Sequence, residues 1–196
     1  TPPRTIARRW YEAARSGSPS ARRWWSSGDA FSPNNMLELG AELELYRATA
    51  GDMAWEMVRE GDLAMTLRVA HALSGVQRSG GAGLLGQVLP EDRPMAIALY
   101  RRALAALEEN NSRGAAHLYR QLRSEIELVE DLSTPAQRAE ASRRAMETQA
   151  WLPIRTDSAW LPITASGHGV PIGASMCHQE AGEPIPGLDK TPGKQG

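Results

Sequence analysis

Apolar positions recur at three- and four-residue spacing along much of the chain, and the pattern is cleanest between Asp92 and Leu132. Ala96, Leu99, Tyr100, Ala103, Leu104 and Leu107 share one face of a helix, with Arg101, Arg102, Glu108 and Glu109 off it. Asp92 two residues before Pro94 marks the start. Proline's missing N–H costs nothing in a first turn, and an aspartate there can accept from the orphan amides. Asn110 and Asn111 are expected to end this helix, since asparagine tolerates the left-handed conformation of a C-cap, and Ser112 to cap the next. That second helix carries Ala115, Leu118, Tyr119, Leu122, Ile126, Val129 and Leu132 on one stripe. A connection this short predicts an antiparallel hairpin with the two stripes face to face.

Upstream, residues 34–77 read as helical with interruptions. Met36, Leu39, Leu43, Tyr46, Ala50, Met53 and Met57 keep an alternating three- and four-residue spacing, with Gly51–Asp52 as the expected break. Gly61–Asp62 is a fresh start, and Leu63, Leu67, Ala70 and Leu73 form the next inner face. The methionines suit the filling of core gaps. Downstream, Ser133-Thr134-Pro135 with Gln137 reads as a capped start to a polar helix reaching Gln149, which should lie on the surface or touch a neighbour. Runs of β-branched residues alternating with polar ones are scarce, so no sheet of three or more strands is expected between Asn34 and Gln149. The predicted fold is all-α, an irregular antiparallel helical bundle of hairpins. Three regions divide it: a basic-aromatic arm over 1–33, a helical domain over 34–149, and an extended Pro/Gly-rich tail over 150–196.

Charge distinguishes the arm. The chain as a whole carries a net −1, which gives no global attraction to nucleic acid or anionic membrane. Its first 27 residues hold Arg4, Arg8, Arg9, Arg15, Arg22 and Arg23 against Glu12 alone, a local +5. Ala-Arg-Arg-Trp occurs there twice, at Ala7–Trp10 and Ala21–Trp24, extended by Tyr11 and Trp25. Gly17, Ser18 and Pro19 separate the copies into two elements. One reading lays this arm against the acidic body of its own domain. A second makes Arg8, Arg9, Trp10, Arg22, Arg23, Trp24 and Trp25 contacts to a partner protein, since Trp, Tyr and Arg are the types that dominate interface energetics. A third has them grip RNA or a lipid headgroup layer.

Beyond Gln149 the composition changes, with six Pro and seven Gly in the last 46 residues. Trp151-Leu-Pro-Ile recurs as Trp160-Leu-Pro-Ile. Extended backbone punctuated by two such anchors suits a segment laid along neighbouring subunits, so Trp151 and Trp160 are expected to be buried partly by surfaces outside their own chain. The uncharged run between Ser158 and Gln179 contains too many Pro, Gly and His to cross a bilayer, and no transmembrane segment is expected. His168, Cys177 and His178 lack the spacing of a zinc site. Gly81-Ala-Gly83-Leu-Leu-Gly86 matches a dinucleotide fingerprint in letters only, because a helical pattern precedes it and Pro90 follows. His71, beside the apolar face of its helix, has no nearby groups to complete a ligand set.

Ala96, Tyr100 and Ala103, within Ala96–Asn111, resemble the second helix of a tetratricopeptide repeat. That resemblance implies stacked helical hairpins with a peptide-binding groove. The segment where the family's first helix would fall, Gln77–Gly86, has neither Trp nor Tyr, and no period near the family's ~34 residues runs through the chain.

These readings converge on a non-catalytic structural subunit of a larger multiprotein complex, its arm and tail stapling other protein subunits. A tetratricopeptide-like adaptor that binds a peptide is the alternative, and an enzyme with an unrecognised site stands third. No residue is assigned to catalysis, to a cofactor or to a metal. No nucleic-acid partner is expected, and a peripheral contact with a membrane surface is left open. One cysteine excludes an internal disulfide. The start at Thr1 leads us to expect a processed product, and with the arginine-rich first 27 residues and the lack of a disulfide it fits an organelle interior, mitochondrial before plastid, with plastid or cytoplasm as alternatives.

Overall fold

Proline at the first turn, aspartate or threonine at the cap and glycine at the stop set most of the helix limits. The structure is a computed structural model that describes residues 2–31, 35–76, 83–109 and 116–154, without the side chains of 116 and 117, and the backbone of 160–162 and 169–171. Among these residues the chain forms eight helices. Helix α1 (Pro3–Arg15) and α2 (Pro19–Ser27) each begin on a proline and are joined by three residues, so α2 turns back against α1. Gly28 closes α2 in the left-handed conformation.

Helix α3 (Gly40–Arg59) runs unbroken through Gly51–Asp52, where the sequence pattern predicts a break. The glycine serves packing instead. A Cβ on Gly51 would sit 3.3 Å from both Leu89 Cδ2 and Val88 Cγ1, so its bare face admits the single-turn helix α5 (Leu85–Val88) at close range. The penalty of ~1 kcal/mol for glycine inside a helix is absorbed by the length of α3 and by the contact it permits.

Asp62 caps α4 (Leu63–Leu73) by accepting from Met65 N at 2.9 Å, as its position after Gly61 predicts. Ten of the eleven residues of α4 are buried, and Arg68 is the exception. The chain is therefore centred on α4, whereas the sequence pattern draws the eye to the later hairpin. Helices α6 (Arg93–Glu109) and α7 (Ala116–Asp131) do stand as that expected pair, packed on each other, with α6 also covering α4. Their connection, with Asn110, Asn111 and Ser112, lies outside the described residues. Asp92 Oδ1 accepts from Met95 N at 3.1 Å, the cap expected there. Leu132 departs from its predicted stripe. Helix α7 ends one residue earlier, so its side chain is half-exposed in the turn while its carbonyl accepts from Arg93 Nη1.

Helix α8 (Pro135–Trp151) opens with the expected capping box. Gln137 N donates to Thr134 Oγ1 at 3.2 Å, and Thr134 N donates to Gln137 Oε1 at 2.9 Å. It is polar on most sides, and it lies along α6 through small buried residues such as Ala141 and Thr148. No strand is described between 35 and 149, and the chain is all-α in character. Two three-residue strands, β1 (Trp160–Pro162) and β2 (Gly169–Pro171), pair antiparallel beyond the helices.

Apolar burial falls into two clusters. One joins α1, α2 and Phe31 to the first half of α3 through Leu39, Tyr46 and Ala50. The other joins the second half of α3 to α4, α6, α7 and α8. The N-terminal helices thus share a core with the helix that follows them.

Candidate functional site

The repeated Ala-Arg-Arg-Trp string is a self-packing device. Ala7 and Ala21 are both buried, and their small side chains let α1 and α2 approach. Trp10 then stacks on Trp24 with ring centroids 4.9 Å apart and planes at 27°, and both rings stay half-buried. Tyr11 meets Trp25 at 4.9 Å. Trp25 itself is 0% exposed. Its edge contacts to Phe31 and Tyr46 both lie at 5.8 Å, and its Nε1 donates to Thr49 Oγ1 at 3.1 Å. Pairs of this geometry add ~0.5–1.5 kcal/mol each beyond the area they bury. Trp25 anchors the pair of helices to α3.

The arginines divide by direction. Arg22 Nη1 donates to Glu60 at 2.9 Å, with Glu56 at 3.5 Å from Nη2. Arg23 donates to Asp62 Oδ2 from both Nε and Nη2 at 2.6 Å, and Arg4 Nε lies 3.4 Å from Glu42. These three hold the N-terminal helices to acids of α3 and to the cap of α4. Arg15 sits over the Tyr11 ring at 5.9 Å. Arg8 and Arg9 are exposed, and among the described residues neither has a carboxylate within ion-pair distance.

Beside this seam lies a partly buried polar cluster. Tyr46 Oη donates to the Ser26 carbonyl at 3.1 Å, and Arg68 is 4.0 Å from Asp29. Burial, helped by the negative charge of Asp29, pushes the Tyr46 hydroxyl well above its ordinary pKa. Burial pulls Arg68 below its ordinary value, and Asp29 opposes that shift. The cluster lies where α2, α3 and α4 meet.

The same construction recurs at the other end of the bundle. Asp92 caps α6 with one oxygen and accepts from Arg144 Nη1 of α8 with the other, at 2.6 Å. Arg144 Nε also reaches Glu140 at 2.7 Å, while Arg101 of α6 reaches Glu130 of α7 at 2.6 Å. The sequence marks Asp62 and Asp92 as caps. Their second oxygens, which dock a distant arginine, carry no local signal and are found only in the folded chain.

At the end of α8 the first Trp-Leu-Pro-Ile splits between inside and outside. Leu152 is buried, its carbonyl accepts from Arg102 Nε at 3.0 Å, and Ile154 packs against the main cluster. Trp151 is 45% exposed. Trp160 opens β1, and its side chain lies outside the described residues, as do 163–168 and 172–196 with His168, Cys177 and His178. His71 is buried in α4. Gly81 of the dinucleotide-like string also lies outside, while Gly83 is in a turn and Gly86 in α5.

Comparison of the chain with protein-family models, with curated proteins and with solved structures returned no match. Among the described residues, no three His, Cys, Asp or Glu side chains cluster so as to hold a metal ion. No described helix is long and apolar enough to cross a membrane. The arrangement offers packing surfaces and arginine–carboxylate joints, and its candidate contact residues fall into inward and outward sets.

Proposed function

We propose that the chain is a non-catalytic structural subunit of a larger protein assembly, holding neighbours through its N-terminal helix pair and through the segment that follows α8. The observation that supports this best is Trp151, a large ring 45% exposed at a point where the adjoining Leu152 and Ile154 are already held by the bundle. Burying a whole tryptophan removes ~150–250 Å² from water, and covering the exposed part of Trp151 would remove roughly half of that, on a fixed backbone and so at small ordering cost. An organelle interior, mitochondrial before plastid, belongs to the same proposal and rests on the arginine-rich first 27 residues and the lack of a disulfide.

Native mass spectrometry of the tagged chain isolated from its source cells tests the reading. The expected result is a stoichiometric assembly with other proteins, and a Trp151→Ala/Trp160→Ala variant that stays folded but leaves it. A chain that purifies alone, or a double variant that assembles normally, refutes the stapling role.

A further inference from the structure

The helix seams of this molecule share one chemistry, an arginine of one helix gripping a carboxylate of another. Arg23 meets Asp62, Arg22 meets Glu60, Arg101 meets Glu130 and Arg144 meets Asp92, at 2.6–2.9 Å. On the outer side of α1 half of such a joint is present. Ile6, Arg9, Trp10 and Ala13 stand at i, i+3, i+4 and i+7, one continuous helix face. Ile6 is 41% exposed and Arg9 is exposed with no carboxylate among the described residues, while Trp10 and Ala13 are half-buried. Trp10 is held in place by its stack on Trp24. Arg8 stands about 100° round the helix from Arg9 and off this face, exposed and with no ion-paired carboxylate among the described residues.

We infer that this face docks an acidic amphipathic helix of a neighbouring protein subunit. The inference rests on the assembly role proposed above and narrows it to one surface. Helix is the expected partner form because a straight ridge at this spacing fits the groove of a second helix. Charge complementarity sets the partner's acidity. Arg9 faces outward, whereas Arg4, Arg22 and Arg23 of the same helix pair are already matched by Glu42, Glu60 and Asp62. The pre-stacked Trp10 lowers the ordering cost of binding, and with Ile6 it supplies the apolar centre that a lone arginine would lack. Trp25, Arg22 and Arg23 take no part, being committed to their own fold.

The test uses the full chain in its native assembly. A benzophenone amino acid replaces Ile6 in one tagged version and Arg120, exposed on α7, in another. A charge-reversed apolar knockout, Ile6→Asp/Arg9→Glu, is compared with Arg120→Glu, all variants being matched for melting midpoint. The expected result is a photoadduct from position 6 to one protein, mapped to a segment carrying Asp or Glu, with none to that segment from position 120. I6D/R9E should lower the assembled fraction at least about tenfold, and R120E should leave it unchanged. An adduct to RNA or lipid, or no protein adduct from an assembled chain, overturns the docking inference alone. Normal assembly of I6D/R9E does the same. A chain that is never found assembled overturns both this inference and the role beneath it.

Discussion

Replacing Asp62 with alanine removes two interactions with one substitution, and their sizes can be separated. The carboxylate is buried, 3% exposed. Its Oδ1 caps α4 through Met65 N at 2.9 Å, and its Oδ2 accepts two donors of Arg23 at 2.6 Å. Loss of an N-cap costs about 1 kcal/mol. Loss of the charge-assisted contact from Arg23, whose side chain keeps 26% of its exposure and so some hydration, costs about 1.5–3 kcal/mol. Asp62→Ala should therefore destabilise by about 2.5–4 kcal/mol, a fall in Tm on the order of 10 °C for a chain of this length. Asp62→Asn keeps a capping oxygen and loses the charge, so it should cost only the second part, about 1.5–3 kcal/mol. Urea unfolding followed by circular dichroism and by tryptophan fluorescence gives both values. A double-mutant cycle with Arg23→Met should then return a coupling of about 1.5–3 kcal/mol for the pair. A D62A cost below about 1 kcal/mol, or a coupling near zero, would refute the claim that one aspartate both starts α4 and fastens α2 to it.

Trp25→Ala should cost about 3–5 kcal/mol and release α1 and α2 from α3, read as a lowered urea midpoint and as faster amide exchange over residues 3–27. Because burial raises the Tyr46 pKa, the folded chain keeps that proton where the unfolded chain has lost it. Stability from this group is complete below the ordinary tyrosine value of about 10 and is lost as pH rises above it, so the urea midpoint should fall at alkaline pH, and less steeply in Tyr46→Phe. Gly75 has φ +67°, and an added Cβ would lie 2.5 Å from Glu91 Oε2. Gly75→Ala should cost about 1–2 kcal/mol in thermal melts, and Glu91→Ala should recover the part due to the clash but not the backbone part.

What the sequence discloses about this fold is mostly which residues turn inward, not who meets them. The caps at Asp62, Asp92 and Thr134 are legible because a cap is a local bond between residues three apart. The stripes of α6 and α7 are legible for the same reason. Gly51 misleads, since propensity sees a helix breaker while the fold uses a notch for Val88 and Leu89. The role of α4 was present in the letters, as Ala64, Met65, Val69 and Ala72 complete an apolar circuit around Leu63, Leu67, Ala70 and Leu73. A helix apolar all round is a buried helix. The duplicated Ala-Arg-Arg-Trp is plain in sequence, yet a tryptophan beside an arginine has equal chemistry for an internal or an external partner. Only the position of Tyr46, Thr49 and the acids of α3 decides that Trp25 and Arg22 face inward. Arg8, Arg9 and Trp151 are what that internal accounting leaves over.

The near-complete burial of α4 also sets a clock on synthesis. Its residues, 63–73, leave the ribosome well ahead of α6, which covers them and begins thirty residues after α4 does. At ~5–20 residues per second the interval is roughly 2–6 s. Throughout it, a helix with apolar side chains on every face has only α2, α3 and, later, α5 to lie against. During those seconds the nascent chain presents a greasy surface that the finished molecule never shows. A chaperone that holds apolar segments should therefore engage ribosome-bound chains extended past Val88 by the length of the exit tunnel, and release those extended past Glu109 by that same length.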